Sequence, residues 1–268
     1  MRAGVIGWPV THSRSPAIHR AAAHAVGLDL DYQTFAVRPG HAPAAVRGMI
    51  PGGLRGLSVT MPHKEAVLDA LDEMSDAARS LGAVNCIVNN DGVLRGENTD
   101  GDGFLRGLAH ETGQQAAGQT VAVIGAGGAA RAIALACAHA KAESVMIINR
   151  TTERAETAAA LAPAIRVGNT GDINTATLVV NATSLGMAKT AGHDVLPLDV
   201  ETLSAEAFVV DIVYDPLETP LLEACRARGI RAIGGLGMLA GQAAVQFQLW
   251  TGIEPDLAVM VAAAHEDC

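Results

Sequence analysis

A glycine-rich turn follows an apolar run at residues 121–124, and its residue types and spacing could bind a phosphate group. The turn has the pattern G-x-G-x-x-A and consists of Gly125, Ala126, Gly127, Gly128, Ala129 and Ala130. The first glycine permits a tight turn, the second lets a pyrophosphate approach the backbone, and the final alanine lets the following helix pack closely. The N-terminus of that helix would face the phosphates. We therefore expect a dinucleotide site, although glycine-rich turns that bind nothing share this pattern.

The next apolar strand ends in polar residues that bear on which dinucleotide would bind. An NAD site places Asp or Glu about 20 residues further on, where it accepts a hydrogen bond from the ribose 2′-hydroxyl. This sequence has Asn149, Arg150 and Thr151 there, followed by Arg154. Two guanidinium groups and a hydroxyl suit a 2′-phosphate. The residues favour NADP(H); the alternative is a solvated basic pair at the start of a helix.

Two serines near the N-terminus could form a carboxylate site. Ser15 precedes Pro16, so we expect Ser15 to cap a helix in which Pro16 is the first residue. Ser13 is not needed for that cap, and two hydroxyls at a helix N-terminus could bind a carboxylate. A plain helix cap is the alternative for Ser15.

Three further polar residues occupy unusual positions. Lys64 falls in the first turn of a helix expected from Pro62, where the helix dipole disfavours a cation. Asp100 precedes another helix start, where it could act as an N-cap. Asn85 lies in an expected strand, where asparagine is uncommon, and taken alone it is a hydrogen-bonded core or edge residue.

Alternating strand and helix patterns would position these residues. Strands are expected at AGVIG, DYQTFAV and RGLSVT, and two short strands flank a turn at residues 89–92. From residue 119, the apolar strands TVAVIG, SVMIIN, TLVVN and AFVVD alternate with helices. Strands without polar alternation are buried on both faces, as in a parallel sheet covered by helices. The sequence predicts an α/β fold with a domain boundary near residues 101–118.

The composition argues against several kinds of partner and site. The chain has 268 residues, is 49% hydrophobic and carries a formal net charge of −9. Lys and Arg form no long cluster, so we expect no nucleic acid and no membrane as partner. The four cysteines lack C-x-x-C spacing, so we expect no metal site and no disulfide framework. Because no signal peptide or membrane span is evident, we expect a cytoplasmic protein.

Nine short motifs, taken together, resemble those of the shikimate dehydrogenase family over essentially the whole chain. They are SRSP, VTMPHK, GAVN, NTDG, GAGGAARA, NRT, NATS, VYDPLETPLL and GLGMLAGQAA. The resemblance implies an enzyme that reversibly reduces 3-dehydroshikimate to shikimate with NADPH, a step of aromatic amino-acid biosynthesis. It also implies an N-terminal α/β substrate-binding domain (residues 1–101 and 237–268), a Rossmann-type dinucleotide-binding domain (residues 102–236), and an active site in the cleft between them. We expect a monomer or homodimer.

The resemblance implies a role for each residue that matches a family motif. Lys64 and Asp100 match the catalytic pair of the family. Hydride transfer to a ketone leaves negative charge on its oxygen, and a nearby ammonium would stabilise that charge. Which of the two is the formal acid-base group stays open, and His63 is the rival proton donor. The implied substrate-binding residues are Ser13, Ser15, Thr60, Asn85, Tyr214 and Gln242. The implied cofactor-binding residues are Gly125, Ala126, Gly127, Gly128, Ala129, Ala130, Asn149, Arg150, Thr151, Arg154, Thr183, Ser184, Gly235 and Met238.

Two residues depart from the family pattern. Ser58 stands where the family usually has Asn, and it lacks the amide donor that would contact the substrate ring. Cys86 stands where the family usually has Thr, which implies only a packing change. Because of Ser58, a paralogue of broader substrate specificity, which acts on quinate or another analogue of shikimate, remains an alternative. A non-catalytic ligand-binding regulator is a further alternative, and the presence of Lys64 and Asp100 argues against it.

Overall fold

The computed structural model describes residues 1–188 and 190–266, which divide into two compact units. The first unit is Met1–Gly103 together with the chain from Leu239 onward, and the second unit is Phe104–Met238. Both units combine helices with a six-stranded sheet, which confirms the predicted α/β class. Among the described residues, no helix is both long enough and apolar enough to span a membrane.

The strands and helices have the following bounds. The strands are Arg2–Gly7 (β1), Asp31–Ala36 (β2), Gly56–Val59 (β3), Glu73–Met74 (β4), Cys86–Asn90 (β5), Val93–Glu97 (β6), Thr120–Ile124 (β7), Ser144–Ile148 (β8), Ile165–Val167 (β9), Leu178–Asn181 (β10), Phe208–Asp211 (β11) and Arg231–Ile233 (β12). The α-helices are Ser15–Ala25 (α1), Ala42–Arg47 (α2), Asp76–Leu81 (α3), Asp100–Thr112 (α4), Gly128–His139 (α5), Thr152–Ala159 (α6), Pro220–Ala227 (α7), Leu236–Thr251 (α8) and Leu257–Glu266 (α9).

The sheet of the first unit is mixed, with the strand order β2-β1-β3-β5-β6-β4. Strand β1 runs parallel to β2 and β3, whereas β5 runs antiparallel to β3 and β6. The β5–β6 hairpin was predicted from sequence, and it turns at Asp91 and Gly92, which both have positive φ (52° and 98°). A two-residue turn with positive φ at both positions matches the twist of a hairpin.

Both faces of this sheet are covered by apolar side chains. Along β1, Val5 belongs to one buried cluster and Ile6 to another, because successive side chains of a strand point to opposite faces. Helix α8 packs against the sheet through Trp250, whose ring occupies the space above Gly56; a Cβ on that glycine would lie 2.3 Å from the ring. This close packing places the residues of α8 next to the strand ends.

The sheet of the second unit is entirely parallel, with the strand order β12-β11-β10-β7-β8-β9. Strand β7 is the first strand of this sheet along the chain. Strands β8 and β9 lie on one side of β7, and strands β10, β11 and β12 lie on its other side. In such a sheet, ligands bind outside the carboxyl ends of the strands, where the strand order reverses. The glycine-rich turn follows β7 and therefore lies at this point.

The helix predicted from Pro62 does not form. Residues 61–67 are turns that lead into a short 3₁₀ helix at Leu68–Ala70. The backbone carbonyl of Lys64 accepts from the N–H of Val84 at 2.8 Å, and the N–H of Leu68 donates to Glu65. Because the Lys64 carbonyl has a partner distant in sequence, the i→i−4 ladder of an α-helix is not completed. The dipole argument made for Lys64 from the sequence was therefore wrong.

Candidate active site

Lys64 and Asp100 form an ion pair in the first unit. The Nζ of Lys64 donates to Oδ2 of Asp100 at 2.5 Å, and the Asp100 side chain is only 6% exposed. The Lys64 side chain is 22% exposed, so its ammonium group retains access to a ligand. An ammonium has three hydrogens. With one on Asp100, two remain for other acceptors.

Asp100 is placed by the start of helix α4. It is the first residue of the helix rather than the N-cap that the sequence predicted, since the carbonyl of Thr99 already accepts from the N–H of Gly103 at 2.9 Å. The N–H of Asp100 is satisfied by Oδ1 of Asn98 at 3.2 Å. The carboxylate is therefore not used in capping and is available to Lys64.

Asn85 links this carboxylate to the end of the sheet. It is buried and directly precedes β5 rather than lying within it. Its Nδ2 donates to Oδ1 of Asp100 at 2.7 Å, while its Oδ1 accepts from the backbone N–H of Thr99 at 2.7 Å. Both oxygens of Asp100 thus have partners, which fix the direction of the carboxylate.

His63, the rival proton donor, is bound elsewhere. Its ring is buried, and its Nε2 lies 2.7 Å from the backbone carbonyl of Val37. A carbonyl can only accept, so the hydrogen on Nε2 is directed to Val37. Lys64, and not His63, reaches Asp100.

The serine pair differs from the predicted arrangement. Helix α1 begins at Ser15 itself, with Arg14 in the N-cap position and no side-chain cap. Ser13, which the sequence suggested was not needed for capping, accepts from the N–H of Ser15 at 3.3 Å through its Oγ. Ser15 is buried. Thr60, half-buried, follows directly after β3.

Gln242 is brought close to the Asp100 segment by two glycines. A Cβ on Gly103 would lie 2.4 Å from the backbone nitrogen of Gln242, and a Cβ on Gly241 would lie 2.3 Å from the carbonyl oxygen of Gly103. Only glycine permits this backbone contact between the segments. The hydroxyl of Thr99 also donates to the carbonyl of Gln242 at 3.2 Å. The sequence alone had assigned no role to Gly241.

In the second unit, the glycine-rich turn has the geometry of a phosphate-binding loop. Gly125 has φ +112°, which strongly favours glycine, and Gly127 is the N-cap of helix α5. A Cβ on Gly127 would meet no atom within 4 Å, so the space beside this backbone is open. Ala130 is fully buried, as expected for close helix packing. The loop fits a pyrophosphate at a helix N-terminus.

The residues after β8 fit a phosphate on the adenosine ribose. Arg150 and Arg154 are exposed, and neither has a hydrogen bond or ion pair within the described part of the chain. Thr151 is the N-cap of helix α6, but its side chain makes no cap hydrogen bond. Asn149 donates from Nδ2 to the carbonyl of Thr151 at 2.8 Å. Two unpaired guanidinium groups beside a helix N-terminus suit a bound anion.

Three segments of the chain match families of known proteins. Residues 5–87 match the family described as shikimate dehydrogenase substrate binding domain. Residues 107–212 match shikimate / quinate 5-dehydrogenase, and residues 235–265 match the shikimate 5′-dehydrogenase C-terminal domain. The chain belongs to the shikimate dehydrogenase family. The resemblance read from the nine motifs is confirmed.

Relatives in the shikimate dehydrogenase family match this chain over nearly its whole length. The NADP(+) shikimate dehydrogenase of Moorella thermoacetica is 47% identical over 267 residues, covering 96% of this chain and 90% of that protein. The shikimate 5-dehydrogenase of Thermus thermophilus, in complex with NADP(H) and shikimate, is 38% identical with a TM-score of 0.92 and full coverage of both chains. The quinate dehydrogenase of Corynebacterium glutamicum, in complex with NAD, is 34% identical with a TM-score of 0.87 and 98% coverage of each chain.

Four of the remaining predicted residues lie near strand ends in the second unit, and the fifth, Met238, lies in helix α8. Thr183 and Ser184 follow β10, and Tyr214 follows β11 and is half-buried. Gly235 follows β12, where a Cβ would lie 2.1 Å from the carbonyl oxygen of Ile212. Met238 packs against the apolar core of this unit. In a parallel sheet, the carboxyl ends of the strands share one edge.

A buried carboxylate that the sequence analysis missed holds two of these strand ends together. Asp211 accepts from Nδ2 of Asn181 at 2.9 Å and from the hydroxyl of Thr219 at 2.6 Å. Burial raises the pKa of Asp211. Asn181 in turn accepts from the hydroxyl of Thr183 at 2.8 Å. The signal available in the sequence was a polar residue at the end of each of two apolar strands.

Cys86 and Ser58, the two departures from the family pattern, are both buried. Cys86 is buried in an apolar cluster, and burial raises the pKa of its thiol. Ser58 is buried, and its hydroxyl donates to Oε1 of Gln246 at 2.5 Å. Gln246 was not identified from the sequence. The single hydrogen of Ser58 is thus used within the protein.

Proposed function

We propose that the protein catalyses the reversible NADPH-dependent reduction of 3-dehydroshikimate to shikimate, a step of aromatic amino-acid biosynthesis. The observation that carries this proposal is the Lys64–Asp100 pair, 2.5 Å apart and held by Asn85, in a chain of the shikimate dehydrogenase family. The protein is accordingly an oxidoreductase with NADP(H) as its cofactor.

In this proposal Lys64 acts on the carbonyl oxygen of the substrate. NADPH supplies a hydride when bound. As negative charge develops on the substrate oxygen, an N–H of the Lys64 ammonium donates a hydrogen bond to it and then a proton. Asp100 accepts from the same ammonium and so holds it in one direction. In the oxidative direction the pair removes the proton from the hydroxyl group.

The residues that the family motifs imply for the substrate have the groups that a polyhydroxylated carboxylate needs. We assign the carboxylate to Ser13 and Ser15 with Tyr214, and the ring hydroxyls to Thr60 and Asn85. We assign to Gln242 a further contact with the substrate, through its amide. All of these residues except Tyr214 lie within the matched substrate-binding and C-terminal family domains, which supports this assignment.

The cofactor is assigned to the second unit. We place the pyrophosphate at residues 125–130, where the open space beside Gly127 supports it, and the 2′-phosphate at Asn149, Arg150, Thr151 and Arg154. Thr183, Ser184, Gly235 and Met238 are assigned to the nicotinamide half. We propose residues 1–101 with 237–268 as the substrate domain and residues 102–236 as the NADP domain. We further propose a cytoplasmic monomer or homodimer.

A quinate/shikimate enzyme of broader specificity is the second candidate. It is favoured by Ser58, whose hydrogen is directed to Gln246 and is therefore not available to a ring hydroxyl of the ligand. A quinate dehydrogenase is also among the similar structures. Arg150 and Arg154, which have no hydrogen bond or ion pair with any residue that the structure describes, favour NADP(H) over NAD(H) for either candidate.

The test is steady-state oxidation of shikimate and of quinate, each with NADP⁺ and with NAD⁺, by the purified protein. We expect a strong preference for shikimate with NADP⁺. Comparable turnover of quinate would select the second candidate. Absence of turnover in all four combinations would reject both and leave a ligand-binding regulator, which calorimetric titration with shikimate would then identify.

A further inference from the structure

A row of buried hydrogen-bonded side chains in the first unit lies behind the proposed substrate contacts. It consists of Tyr32, Ser58 and Gln246, which are 0%, 5% and 1% exposed. Tyr32 comes from β2, Ser58 from β3 and Gln246 from α8. The row ends at Gln242, whose Oε1 accepts from Nε2 of Gln246 at 2.5 Å.

The orientation of both glutamine amides is determined by backbone carbonyls, which can only accept. Nε2 of Gln246 lies 3.2 Å from the carbonyl of Asn85, and Nε2 of Gln242 lies 2.9 Å from the carbonyl of Leu239. If either amide were reversed, two acceptor oxygens would face each other. The amide nitrogen of Gln246 must therefore face Asn85 and Gln242, and its oxygen must face Ser58.

The direction of the remaining hydrogen bonds follows from this orientation. Oε1 of Gln246 cannot donate, so Ser58 must give its single hydrogen to that oxygen. The hydroxyl of Tyr32, 2.8 Å from Ser58, must then donate to Ser58. Every hydrogen bond in the row therefore points from Tyr32 toward Gln242, and the order cannot reverse without leaving a buried group unpaired.

Gln242 consequently presents a donor to its surroundings. Its oxygen accepts from Gln246, and one of its two amide hydrogens is used by Leu239. The other amide hydrogen remains for a ligand oxygen. A substrate with a carboxylate and several hydroxyls supplies such an acceptor.

We propose that Gln246 is a positioning residue for substrate recognition, which with Ser58 and Tyr32 fixes Gln242 as a hydrogen-bond donor to the substrate. This inference rests on the proposed function, since it takes Gln242 as a substrate contact. It gives Ser58 a role inside the protein: its hydroxyl orients an amide on α8. The nearby contact between Gln246 and Asn85 extends the same positioning effect toward the residue that holds Asp100.

The experiment compares KM and kcat for shikimate and NADP⁺ in Gln246→Met, Ser58→Ala and Tyr32→Phe. We expect Gln246→Met to raise the KM for shikimate about tenfold, as the loss of an oriented hydrogen bond would. The KM for NADP⁺ should not change. Ser58→Ala should have a smaller effect of the same kind, and Tyr32→Phe the smallest, because each acts on Gln242 through more intermediates.

Two controls separate positioning from packing. Gln248→Met makes the same chemical change on α8 outside the row, and Phe247→Leu reduces a fully buried side chain on that helix. Both should leave the KM for shikimate unchanged, even where Phe247→Leu lowers the melting temperature. Calorimetric titration with shikimate should reproduce the order of the KM values.

An unchanged shikimate KM in Gln246→Met and Ser58→Ala, with only a lower melting temperature, would overturn the inference. An equal rise of the KM for shikimate and NADP⁺ would do so as well. The wild-type protein tests the proposed function separately, because failure of that protein to turn over shikimate rejects the function before any variant is compared.

Discussion

At the scale of single residues, Asp100 has a separate partner for each carboxylate oxygen. Oδ2 accepts from Lys64 and Oδ1 accepts from Asn85. Charge-assisted hydrogen bonds of this kind are stronger than neutral ones and restrict both groups. A lysine oriented in this way can act on one atom of a bound ligand. Lys64 is oriented by this contact with Asp100 and not by a helix terminus.

Replacing the lysine tests the proposed acid-base role directly. We expect Lys64→Ala to lower kcat about 10²–10⁴-fold, the usual contribution of a positioned proton donor, while the dissociation constant for NADPH stays unchanged. Lys64→Arg should remain nearly as inactive, since a guanidinium retains its proton. Arg47→Ala, which removes an exposed ion pair with Asp72, is the control and should keep full activity. Near-normal turnover of Lys64→Ala, measured by NADPH absorbance, would contradict the mechanism.

Arg150 tests the choice of dinucleotide. Its guanidinium is exposed and has no partner among the described residues, so its removal should not disturb the fold. We expect Arg150→Ala to weaken NADPH binding about 10- to 100-fold, the range for hydrogen bonds to a charged group, and to leave NADH binding nearly unchanged. Fluorescence titration with both cofactors measures this. Arg226→Ala, which removes an exposed partner of Glu218, is the control. Equal losses for NADPH and NADH would show that Arg150 does not contact the 2′-phosphate.

At the scale of elements, glycines decide how closely segments approach, and two of them do so for different reasons. Gly241 lies against the backbone of Gly103, so that a side chain there has no room. Gly127 adjoins open space and has φ −75°, a value that alanine adopts readily. The first glycine is required by packing within the protein, whereas the second borders open space that the proposed pyrophosphate would fill.

The same substitution at the two glycines should therefore have opposite consequences. Gly241→Ala should destabilise the protein by about 1–3 kcal/mol, because an added methyl in a filled space forces the backbone apart. Gly127→Ala should leave the melting temperature unchanged and weaken NADP⁺ binding at least about tenfold, since its methyl group would occupy the pyrophosphate site. Thermal unfolding and NADP⁺ titration measure both effects. Normal NADP⁺ affinity in Gly127→Ala would reject the phosphate assignment.

At the scale of the whole molecule, a buried histidine links stability to pH. His19 is fully buried; its ring stacks on that of Tyr32 at 4.6 Å between centroids and is tilted against that of Trp250 at 4.9 Å. Burial lowers its pKa from 6.5 to about 3. Below pH 6.5 the unfolded chain therefore binds a proton at this histidine and the folded protein does not. Stability that is present above pH 6.5 is lost as the pH falls toward 3.

The size of this effect can be tested by denaturant unfolding. Each pH unit within this window costs up to about 1.4 kcal/mol, so His19 should reduce the free energy of unfolding by about 2 kcal/mol between pH 6.5 and 5. His19→Phe retains an aromatic ring and should remove this contribution. His24→Phe changes an exposed histidine of the same helix and should keep the wild-type pH dependence. Identical pH profiles for wild type and His19→Phe would contradict the prediction.

The sequence by itself determined those features that depend on neighbours along the chain. Apolar runs identified the buried strands of the parallel sheet, and Asp91-Gly92 identified the hairpin turn. The glycine-rich turn and the arginines after β8 were recognisable because each lies within one short segment of the chain. The nine motifs identified the family for the same reason, since each is a local pattern.

Only the tertiary structure decided the features that depend on contacts between distant segments. Lys64 lies outside any α-helix because its carbonyl pairs with Val84, and no local pattern contains that contact. Ser58 and Gln246 are 188 residues apart in sequence, yet their hydrogen bond orients Gln242. A side chain's hydrogen-bonding direction depends on which acceptors surround it after folding. The residues proposed for the site could thus be named from the sequence, whereas the orientation of their side chains required the fold.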